Sequence, residues 1–502
     1  MKSLYAIKKF MGFSAESQDK DILFEDIEID SRKCKANDVF LARCGSNHNG
    51  LDYIDDVIAK GVSLILIDPK ANRKEAKKLL ENKDVKYFFL TATRSIGRFA
   101  SWFYGEPSTK LRLIGVTGTN GKSTVAYLVA TMLNALNYKC AIFGTLGFGF
   151  PGELEQSSNT TLDVVYLNRY LDRYVQKGAD HAVLEVSSIG VDQGRIDHLT
   201  FSVGAFTNLT RDHLDYHKTM EAYKEAKAAF LRRLNTQKIV INTDDPTGLE
   251  FASQKEGCTC YGIDSMTQVS ALNGRRCISC EHLSFKDDCF NVSIKTSYGM
   301  LENQNVHLLG RFNVANYLCA VGILQTLKIT LKEIGQASAA IRPVTGRMEC
   351  FSQKGKPRII VDYAHTPDGV ESALRAARNH CENGKIICVL GCGGDRDKGK
   401  RPMMAIKSSV FADRVIFTMD NPRSEDPKSI IDDMLRGVSL ASNVSVVLDR
   451  KEAIAKAFAL ADENDCVLIA GKGHEDYQIL KNKTIHFSDR EQACALLGLS
   501  CD

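Results

Sequence analysis

The chain has 502 residues, of which 44% are hydrophobic and 25% are charged, and 65 Lys and Arg residues nearly balance 61 Asp and Glu residues. This composition is typical of a globular protein with several domains and excludes the disordered and fibrous classes. The net charge of +4 comes from interleaved charges without a basic tract, so we expect no nucleic-acid partner.

Sixteen cysteines are spread along the chain. Residues 1–20 contain no apolar core long enough for an export signal, so we expect reduced thiols and a cytoplasmic protein. The cysteine spacings match no paired CxxC motif, which disfavours a structural zinc site. No apolar stretch reaches the roughly 18 residues that a membrane span requires.

The first hundred residues alternate short apolar strands with helical patterns. Strands are predicted at 38–42 and 62–67, with a helix at 53–60. The sequence GEPST at 105–109 is typical of a linker, so we expect a first domain over residues 1–108.

The run TGTNGKST at 117–124 follows an apolar segment and opens onto a helical pattern. A strand, a glycine-rich turn and a helix N-terminus in that order bind phosphates, with Lys122 reaching the outer phosphates and Ser123 holding Mg²⁺. We therefore predict a nucleoside triphosphate site. Val116 stands where the common GxxxxGK[ST] loop has its first glycine, so this loop is a compressed variant.

Strands separated by helices follow on both sides of a predicted boundary near residues 342–346. They are predicted at 140–144, 181–186, 203–208, 238–242, 358–362, 385–390, 414–418, 445–448 and 466–470. Segments 289–295 and 306–309 suggest antiparallel additions. The pattern predicts an α/β chain with mostly parallel sheets, whose ligands lie beyond the carboxyl ends of the strands. We expect a central domain over 109–344 and a doubly wound domain over 345–502.

One further residue fits a metal site beside the phosphate loop. Glu185 ends the strand at 181–186, where it can hold Mg²⁺ together with Ser123. A glutamate at a strand end is otherwise often a surface residue, and a helical lysine such as Lys227 is usually a solvated charge.

The combination of motifs carries a family resemblance. TGTNGKST, Glu185 with VSS, TNLTRDHLDYH at 207–217 and EAYKEAK at 221–227 resemble, in this order and spacing, the Mur ligase family of ATP-dependent amide ligases. The resemblance covers essentially the whole chain. It implies an N-terminal UDP-sugar-binding domain, a central P-loop parallel-sheet ATPase domain and a C-terminal Rossmann-like domain for the incoming amino acid.

The resemblance also implies ATP and Mg²⁺ as cofactors. It places a carbamate, formed with CO₂, on Lys227 and makes His213 a further metal ligand beside Ser123 and Glu185. The implied catalytic residues are Lys122, Lys227, His213 and Arg347. The implied nucleotide-binding residues are Gly118, Thr119, Asn120, Gly121, Lys122, Ser123, Thr124, Asn313, Arg347 and Asp362.

Three segments indicate which amino acid is added. GCGGDRDK at 391–398, DNPR at 420–423 and GKGHE at 471–475 resemble the family member that adds the third residue of the peptidoglycan stem peptide, and DNPR goes with meso-diaminopimelate. Arg423 can pair with the distal carboxylate that lysine lacks, and Glu475 with the distal ammonium. Alternatively, NPR followed by SEDP fits a helix N-cap at Ser424. The implied pocket residues are Arg396, Asp420, Asn421, Pro422, Arg423, Gly471 and Glu475.

Other positions resemble the sites for the UDP-sugar peptide. These are Ser31, Asn159, Thr160, Thr161, Ser187, Gln193 and Arg195. Two departures from the family pattern lie beside them, because Leu162 stands where proline is usual and Ile189 where histidine is common.

The resemblance thus implies an acid–amino-acid ligase of peptidoglycan precursor and cell wall synthesis. It would add meso-diaminopimelate to UDP-N-acetylmuramoyl-L-alanyl-D-glutamate through an acyl phosphate, as a cytoplasmic monomer with small-molecule partners. A lysine-adding ligase and a folylpolyglutamate synthetase are alternatives, although the latter should lack DNPR with GKGHE. A catalytically idle binding homologue is an alternative from another class, but every expected catalytic position is filled.

Overall fold

The computed structural model describes residues 1–45, 48–91, 94–157, 159–264, 275–286, 288–381, 383–438, 442–481 and 483–501. These residues divide into two compact units. The first contains Met1–Leu113, Thr161–Ala182 and Ile189–Phe201, and the second contains Ile114–Thr160, Val183–Ser188 and Ser202–Asp502. The three-domain boundaries at 108 and 344 stay a prediction.

The first unit is built on a parallel sheet with the order β3-β4-β5-β6. Its strands are β1 (Lys2–Ser3), β2 (Leu23–Phe24), β3 (Asp26–Glu28), β4 (Asp38–Ala42), β5 (Leu64–Ile67) and β6 (Lys86–Phe89). Its helices are Leu4–Phe10, Ile54–Ala59, Arg73–Leu80, Arg94–Phe103, Pro107–Lys110 and Val164–Gln176, together with residues 189–192 of the helix Ser188–Asp192. Every residue of β4 and β5 is buried, as expected for parallel strands covered on both faces.

The larger sheet of the second unit has ten strands in the order β16-β15-β14-β13-β12-β11-β7-β10-β8-β9. They are β7 (Arg112–Thr117), β8 (Cys140–Gly144), β9 (Gly147–Gly149), β10 (His181–Glu185), β11 (Val203–Phe206), β12 (Ile239–Asn242), β13 (Thr259–Gly262), β14 (Arg276–Phe285), β15 (Phe290–Thr296) and β16 (Gly299–Val306). Strands β7, β11, β12, β13 and β14 pair in parallel, whereas β15 and β16 add an antiparallel meander.

The second sheet of this unit has the order β17-β18-β22-β19-β20-β21 and is parallel except for β17. Its strands are β17 (Glu349–Phe351), β18 (Arg358–Asp362), β19 (Ile386–Cys392), β20 (Arg414–Met419), β21 (Val444–Val446) and β22 (Cys466–Ala470), and a hairpin of β23 (Tyr477–Leu480) and β24 (Lys483–His486) follows. Because β22 lies between β18 and β19, the chain order reverses there, which is where doubly wound sheets bind ligands.

The helices of the second unit follow a strand-and-helix alternation. They are Lys122–Ala135, Leu214–His217, Met220–Leu231, Pro246–Ser253, Arg311–Thr326, Leu331–Ser338, Pro367–Asn379, Lys400–Phe411, Pro427–Leu435, Arg450–Ala459 and Asp489–Leu497. Two apolar clusters, one containing Ile360 and the other Ile359 and Val361, cover the two faces of the six-stranded sheet. Many helices begin at a residue whose side chain caps the helix N-terminus. Thr219, for example, accepts a hydrogen bond from Ala222 N at the start of the helix Met220–Leu231.

The predicted α/β class and most predicted strands are confirmed. Three expectations were wrong. The expected linker at 105–109 contains the start of helix Pro107–Lys110, and the strand expected at 306–309 is the end of β16 at Val306. Cys494 and Cys501 form a disulfide, although reduced thiols were expected throughout.

The described helices include no segment that is both long and apolar enough to span a membrane. Within the same residues, one group of three potential metal ligands lies away from the motifs above, formed by Asp288, Cys289 and His307.

Candidate active site

The phosphate loop connects the end of β7 to the helix Lys122–Ala135. Gly118 and Gly121 have φ values of +147° and +86°, which a residue with a Cβ rarely adopts. A Cβ on Gly118 would overlap Thr207 Oγ1, and one on Gly121 would overlap Asn316 Oδ1. The glycines thus allow the backbone to turn tightly, with the helix N-terminus facing the loop.

Two lysines meet at one carbonyl oxygen of this loop. Lys122 Nζ donates to Gly118 O at 2.9 Å, and Lys227 Nζ donates to the same oxygen at 2.7 Å. Lys227 is buried, with 1% of its surface exposed. Burial lowers the pKa of both amines, and the two cations also disfavour each other at Lys227. Lys122 is therefore a half-buried group suited to phosphate, and the buried Lys227 beside it is an amine whose neutral form is favoured.

A cluster of oxygen atoms lies next to the lysines. Ser123 Oγ donates to Glu185 Oε2 at 2.9 Å, and Thr145 N donates to Glu185 Oε1 at 2.8 Å. A Cβ on Gly144 would overlap the Glu185 carboxylate, so the glycine at the end of β8 leaves the space that this carboxylate occupies. Hydroxyl and carboxylate oxygens are the ligands that Mg²⁺ prefers.

His213 and Asp212 border this centre. Burial lowers the pKa of His213 to about 4, and the Lys122 and Lys227 cations add to this effect, so its imidazole is a neutral potential ligand. Burial would raise the pKa of Asp212, but contacts with His365, His213 and Lys400 hold it well below its usual range. The RDH segment therefore meets residues that follow β18 and β19.

Arg347 reaches the phosphate loop from a tight turn. Its NH2 atom lies 3.3 Å from Ser123 Oγ, and its guanidinium lies 4.4 Å from the centre of the Tyr363 ring. Asp362 fixes the turn by accepting hydrogen bonds from Met348 N at 2.7 Å and Ala364 N at 2.8 Å. The turn passes so close to the backbone of residues 473–474 that a Cβ on Gly346, at φ +65°, would overlap it.

A cavity of about 280 Å³ opens beside the loop and is suited to the rest of a nucleotide. Its lining includes Asn120, Gly121, Thr124, Asn316, Arg347 and Asp362. Asn313 is absent from that lining, because its buried amide donates to Leu309 O at 2.8 Å and accepts from Asn316. The structure therefore presents Asn316, one turn further along the helix, in the place expected for Asn313.

The segments DNPR at 420–423 and GKGHE at 471–475 come together at the carboxyl ends of β20 and β22. Asn421, after β20, donates from Nδ2 to Glu475 Oε2 at 2.8 Å, so DNPR and GKGHE form one pocket. Lys472 is fully buried and contacts Asp420, Asn421 and Glu475. Burial raises the pKa of Glu475, an effect that Asp420 strengthens and Lys472 opposes.

Arg423 is held at the mouth of this pocket. It has φ +53°, and its NH1 atom donates to Gly394 O at 2.7 Å. Arg396 is exposed and contacts only Asp395 O among the described residues. The N-cap of the following helix is Asp426, which accepts from Lys428 N, so the expectation of Ser424 as cap was wrong; Ser424 Oγ donates to Asp395 instead.

The positions expected to bind the UDP-sugar peptide are divided between the units. In the first unit, Arg195 NH1 donates to Thr161 O at 2.6 Å and Arg195 NH2 donates to Gln193 Oε1 at 2.7 Å, while Ser31 is buried and its carbonyl accepts from Lys60. In the second unit, Thr160 Oγ1 lies 3.0 Å from the hydroxyl of Thr145. Asn159 and Ser187 also belong to this unit.

Three residues contribute to the site in ways that the motifs did not predict. Thr145 orients Glu185, Asp212 bridges to His365 and Lys400, and Lys472 joins the two halves of the amino-acid pocket. Asp212 and Lys472 lie inside TNLTRDHLDYH and GKGHE, so their motifs were visible although their contacts were not.

Comparison with known proteins gives consistent matches along the chain. Three family models match it: "Mur ligase family, catalytic domain" at residues 24–104, "Mur ligase middle domain" at 116–324 and "Mur ligase, glutamate ligase domain" at 346–473. Together they span the phosphate loop, the Lys227 helix, the pocket segments at 391–398 and 420–423, and the first three residues of GKGHE.

Curated relatives are similar over nearly their whole length. The UDP-N-acetylmuramoyl-L-alanyl-D-glutamate--2,6-diaminopimelate ligase of Vibrio vulnificus is 39% identical and covers 96% of each chain, and that of Haemophilus influenzae is 38% identical over 99% of this chain and 100% of its own. A solved structure of an enzyme with that name has 29% identity, 99% coverage of both chains and a TM-score of 0.64. MurF from Acinetobacter baumannii, at 16% identity, 94% and 93% coverage and a TM-score of 0.66, shares the fold.

Proposed function

Because this chain belongs to the Mur ligase family, we propose that it is an ATP-dependent ligase that joins meso-diaminopimelate to UDP-N-acetylmuramoyl-L-alanyl-D-glutamate. We assign UDP-sugar binding to residues 1–108, ATP binding to 109–344 and amino-acid binding to 345–502. The protein would act in the cytoplasm as a monomer, in the synthesis of peptidoglycan precursors.

The reaction has two steps. A terminal carboxylate oxygen of the UDP-linked dipeptide attacks the γ-phosphorus of ATP, which breaks the bond to the β-phosphate oxygen and releases ADP. The amino group of diaminopimelate then attacks the acyl phosphate, loses a proton and expels inorganic phosphate, leaving an amide. Lys122 and Arg347 lie where they would stabilise charge on the transferring phosphoryl group.

The oxygen cluster fits Mg²⁺. Ser123 and Glu185 would hold one ion, and His213 with a modified Lys227 would hold a second, since the donors are a hydroxyl, a carboxylate and a neutral imidazole. Bound Mg²⁺ would neutralise phosphate charge. The protein's own part is to hold Glu185 through Thr145 and to keep Lys227 out of contact with water.

We propose that Lys227 carries a carbamate, formed when its neutral amine attacks CO₂ and releases a proton. Burial favours the neutral amine that this reaction needs, because it lowers the pKa of Lys227 far below that of a solvated lysine. The carbamate would replace an ammonium by an oxygen ligand for a hard cation.

The observation that carries the choice of amino acid is the single pocket formed by DNPR and GKGHE. Arg423 offers a planar cation for the distal carboxylate of diaminopimelate, and Glu475, fixed by Asn421 at 2.8 Å, offers an anion for its distal ammonium. Lysine would leave Arg423 without a carboxylate partner.

The test is phosphate release by the purified protein with the UDP-linked dipeptide, ATP, Mg²⁺ and either meso-diaminopimelate or lysine. We expect release to be much faster with diaminopimelate, and mass spectrometry should find the tripeptide product. Equal rates would contradict the assignment of diaminopimelate. Absence of ATP turnover with either amino acid would support the idle binding homologue.

A further inference from the structure

Lys472 is the buried cation at the centre of the amino-acid pocket. Its side chain is 0% exposed, and its Nζ lies 3.2 Å from Asp420 Oδ1, 3.2 Å from Asn421 Oδ1 and 3.3 Å from Glu475 Oε2. One ammonium therefore bridges two carboxylates that follow different strands. Such a group is too deep to contact solvent, so its effect acts through the two carboxylates.

The charges of the pocket cancel when Lys472 is included. Asp420 and Glu475 contribute two negative charges, and Lys472 and Arg423 contribute two positive charges. Arg396 is not counted, because its side chain is exposed and its hydrogen bond is to Asp395 O. The buried pair of Arg450 and Asp489, with 2.7 Å between Arg450 NH2 and Asp489 Oδ2, lies behind the strand ends and is neutral by itself. His474 adds no charge near neutral pH, because burial lowers its pKa to about 3.

A neutral pocket matches one kind of amino-acid end. The distal end of meso-diaminopimelate carries one ammonium and one carboxylate, so it is a zwitterion, whereas the distal end of lysine carries an ammonium alone. Moving an amino acid into a buried site requires that its charges be matched there, since unmatched charge is costly at low dielectric. A neutral pocket with one cation and one anion at its surface therefore favours the zwitterion.

We propose that Lys472 is a specificity-determining positioning residue, which neutralises Asp420 and so keeps the pocket neutral and selective for a zwitterionic distal end over a cationic one. This inference rests on the proposed function. Lys472 acts through Asp420 and Glu475, and the substrate contacts remain with Arg423 and Glu475. Without Lys472 the pocket would carry one net negative charge and would accept lysine relatively better.

The experiment measures kcat/KM for meso-diaminopimelate and for lysine in the full-length protein and its variants. For Lys472→Met we expect the kcat/KM for meso-diaminopimelate, divided by that for lysine, to fall about tenfold or more. Removing one partner of a buried charge pair changes the interaction with a charged ligand by at least about that factor. KM for ATP should stay within about twofold, because the phosphate loop is untouched.

A double variant separates charge from structure. Asp420→Asn combined with Lys472→Met removes one charge of each sign and restores a neutral pocket, so we expect the selectivity ratio to return toward that of the wild type. Lys472→Arg keeps the charge and should keep the preference. Lys356→Met is the matched control, because Lys356 Nζ binds the carbonyls of Leu496 and Leu497 away from the pocket, and its loss should lower the melting temperature without changing the ratio.

The outcomes are distinguishable. An unchanged ratio in Lys472→Met, or no recovery in the double variant, would overturn the role of Lys472 while the proposed function stands. If Lys472→Met does not fold, the double variant and Lys472→Arg decide, and loss of preference in Lys472→Arg with an intact melting temperature would also overturn the role. A wild-type protein without diaminopimelate-dependent phosphate release would overturn the proposed function itself.

Discussion

The phosphate loop and the amino-acid pocket differ in whether their lysines form ion pairs within the protein. In the loop, Lys122 and Lys227 both donate to the Gly118 carbonyl, and neither amine forms an ion pair with a carboxylate among the described residues. In the pocket, Lys472 already bridges Asp420 and Glu475. The first site therefore has room for the negative charge of ATP and its Mg²⁺ ions. In the second site the charges are already balanced before the zwitterionic end of the amino acid binds.

The two sites also differ in how the chain builds them. The phosphate loop is one continuous segment whose shape depends on glycines, whereas the pocket joins segments about fifty residues apart that follow different strands of one sheet. Substitutions in the loop should therefore affect ATP and all chemistry that follows. Substitutions in the pocket should affect the choice of amino acid.

The largest effect is expected at Lys227. Lys227→Ala should lower kcat by roughly 10³-fold, because the carbamate oxygen that would hold the second Mg²⁺ is lost. Added formate or acetate should restore part of the activity by supplying the missing carboxylate, as measured by phosphate release. Lys224→Ala, on the same helix but only half-buried and paired with Glu250, is the control and should retain full activity.

The next effect tests the glycine turn of the loop. Gly118→Ala should weaken ATP binding by roughly 100-fold, since the new Cβ would overlap Thr207 Oγ1 at a φ of +147°. Gly152→Ala carries a similar positive φ, +92°, but has open space around the added Cβ. Calorimetric titration with ATP should find near-normal affinity in Gly152→Ala; similar losses in both variants would contradict the role of close approach.

A smaller and more selective effect is expected in the pocket. Arg423→Ala should lower kcat/KM for meso-diaminopimelate by roughly 10- to 100-fold, which corresponds to one lost charged hydrogen-bonded pair. KM for ATP should not change, which would distinguish it from the loop variants. Arg414→Ala, at the exposed start of β20, serves as the control.

The smallest effect concerns stability beside the pocket. The Arg401 guanidinium, at 2.8 Å, holds the pKa of Glu425 at about 2, against an ordinary value of 4.5. Because the folded-state pKa is depressed, this stabilisation is present above pH 4.5 and is lost as the pH falls toward 2.

We therefore expect Glu425→Gln to lower the free energy of unfolding by about 2 kcal/mol at pH 7 and by progressively less below pH 4.5. Urea denaturation at several pH values measures this difference. Glu463→Gln, at an exposed glutamate, should leave the urea midpoint unchanged. A constant difference across the pH range would show that the ion pair is not its source.

Much of the fold was predictable because buried parallel strands are continuous apolar runs. The predictions for β4, β8, β18 and β22 match the observed bounds, and a helix follows the phosphate loop as expected. The expected strand at 306–309 failed because its apolar residues Leu308 and Leu309 are buried in the approach to the helix Arg311–Thr326 rather than in a ladder.

The site residues were predictable where they lie in one continuous motif. They were not predictable where contacts between distant segments determine which side chain faces the site. The sequence placed Lys122, Ser123 and Glu185 together, and the structure brings Ser123 to within 2.9 Å of Glu185. It could not distinguish Asn313 from Asn316, because one helical turn separates a residue in the interior from one at the cavity. The contacts of Lys472 depend on the order of β19, β20 and β22, which no local pattern encodes.

The close approach of Gly346 to the backbone of residues 473–474 has a consequence for how the substrates depend on one another. The turn that carries Arg347 and the loop that precedes Glu475 form one continuous wall, so movement of either must be accommodated by the other. If ATP changes the affinity for the amino acid, the amino acid must change the affinity for ATP by the same factor. Such cooperativity would pass through main-chain atoms, and a side chain at either Gly346 or Gly473 would push the two surfaces apart.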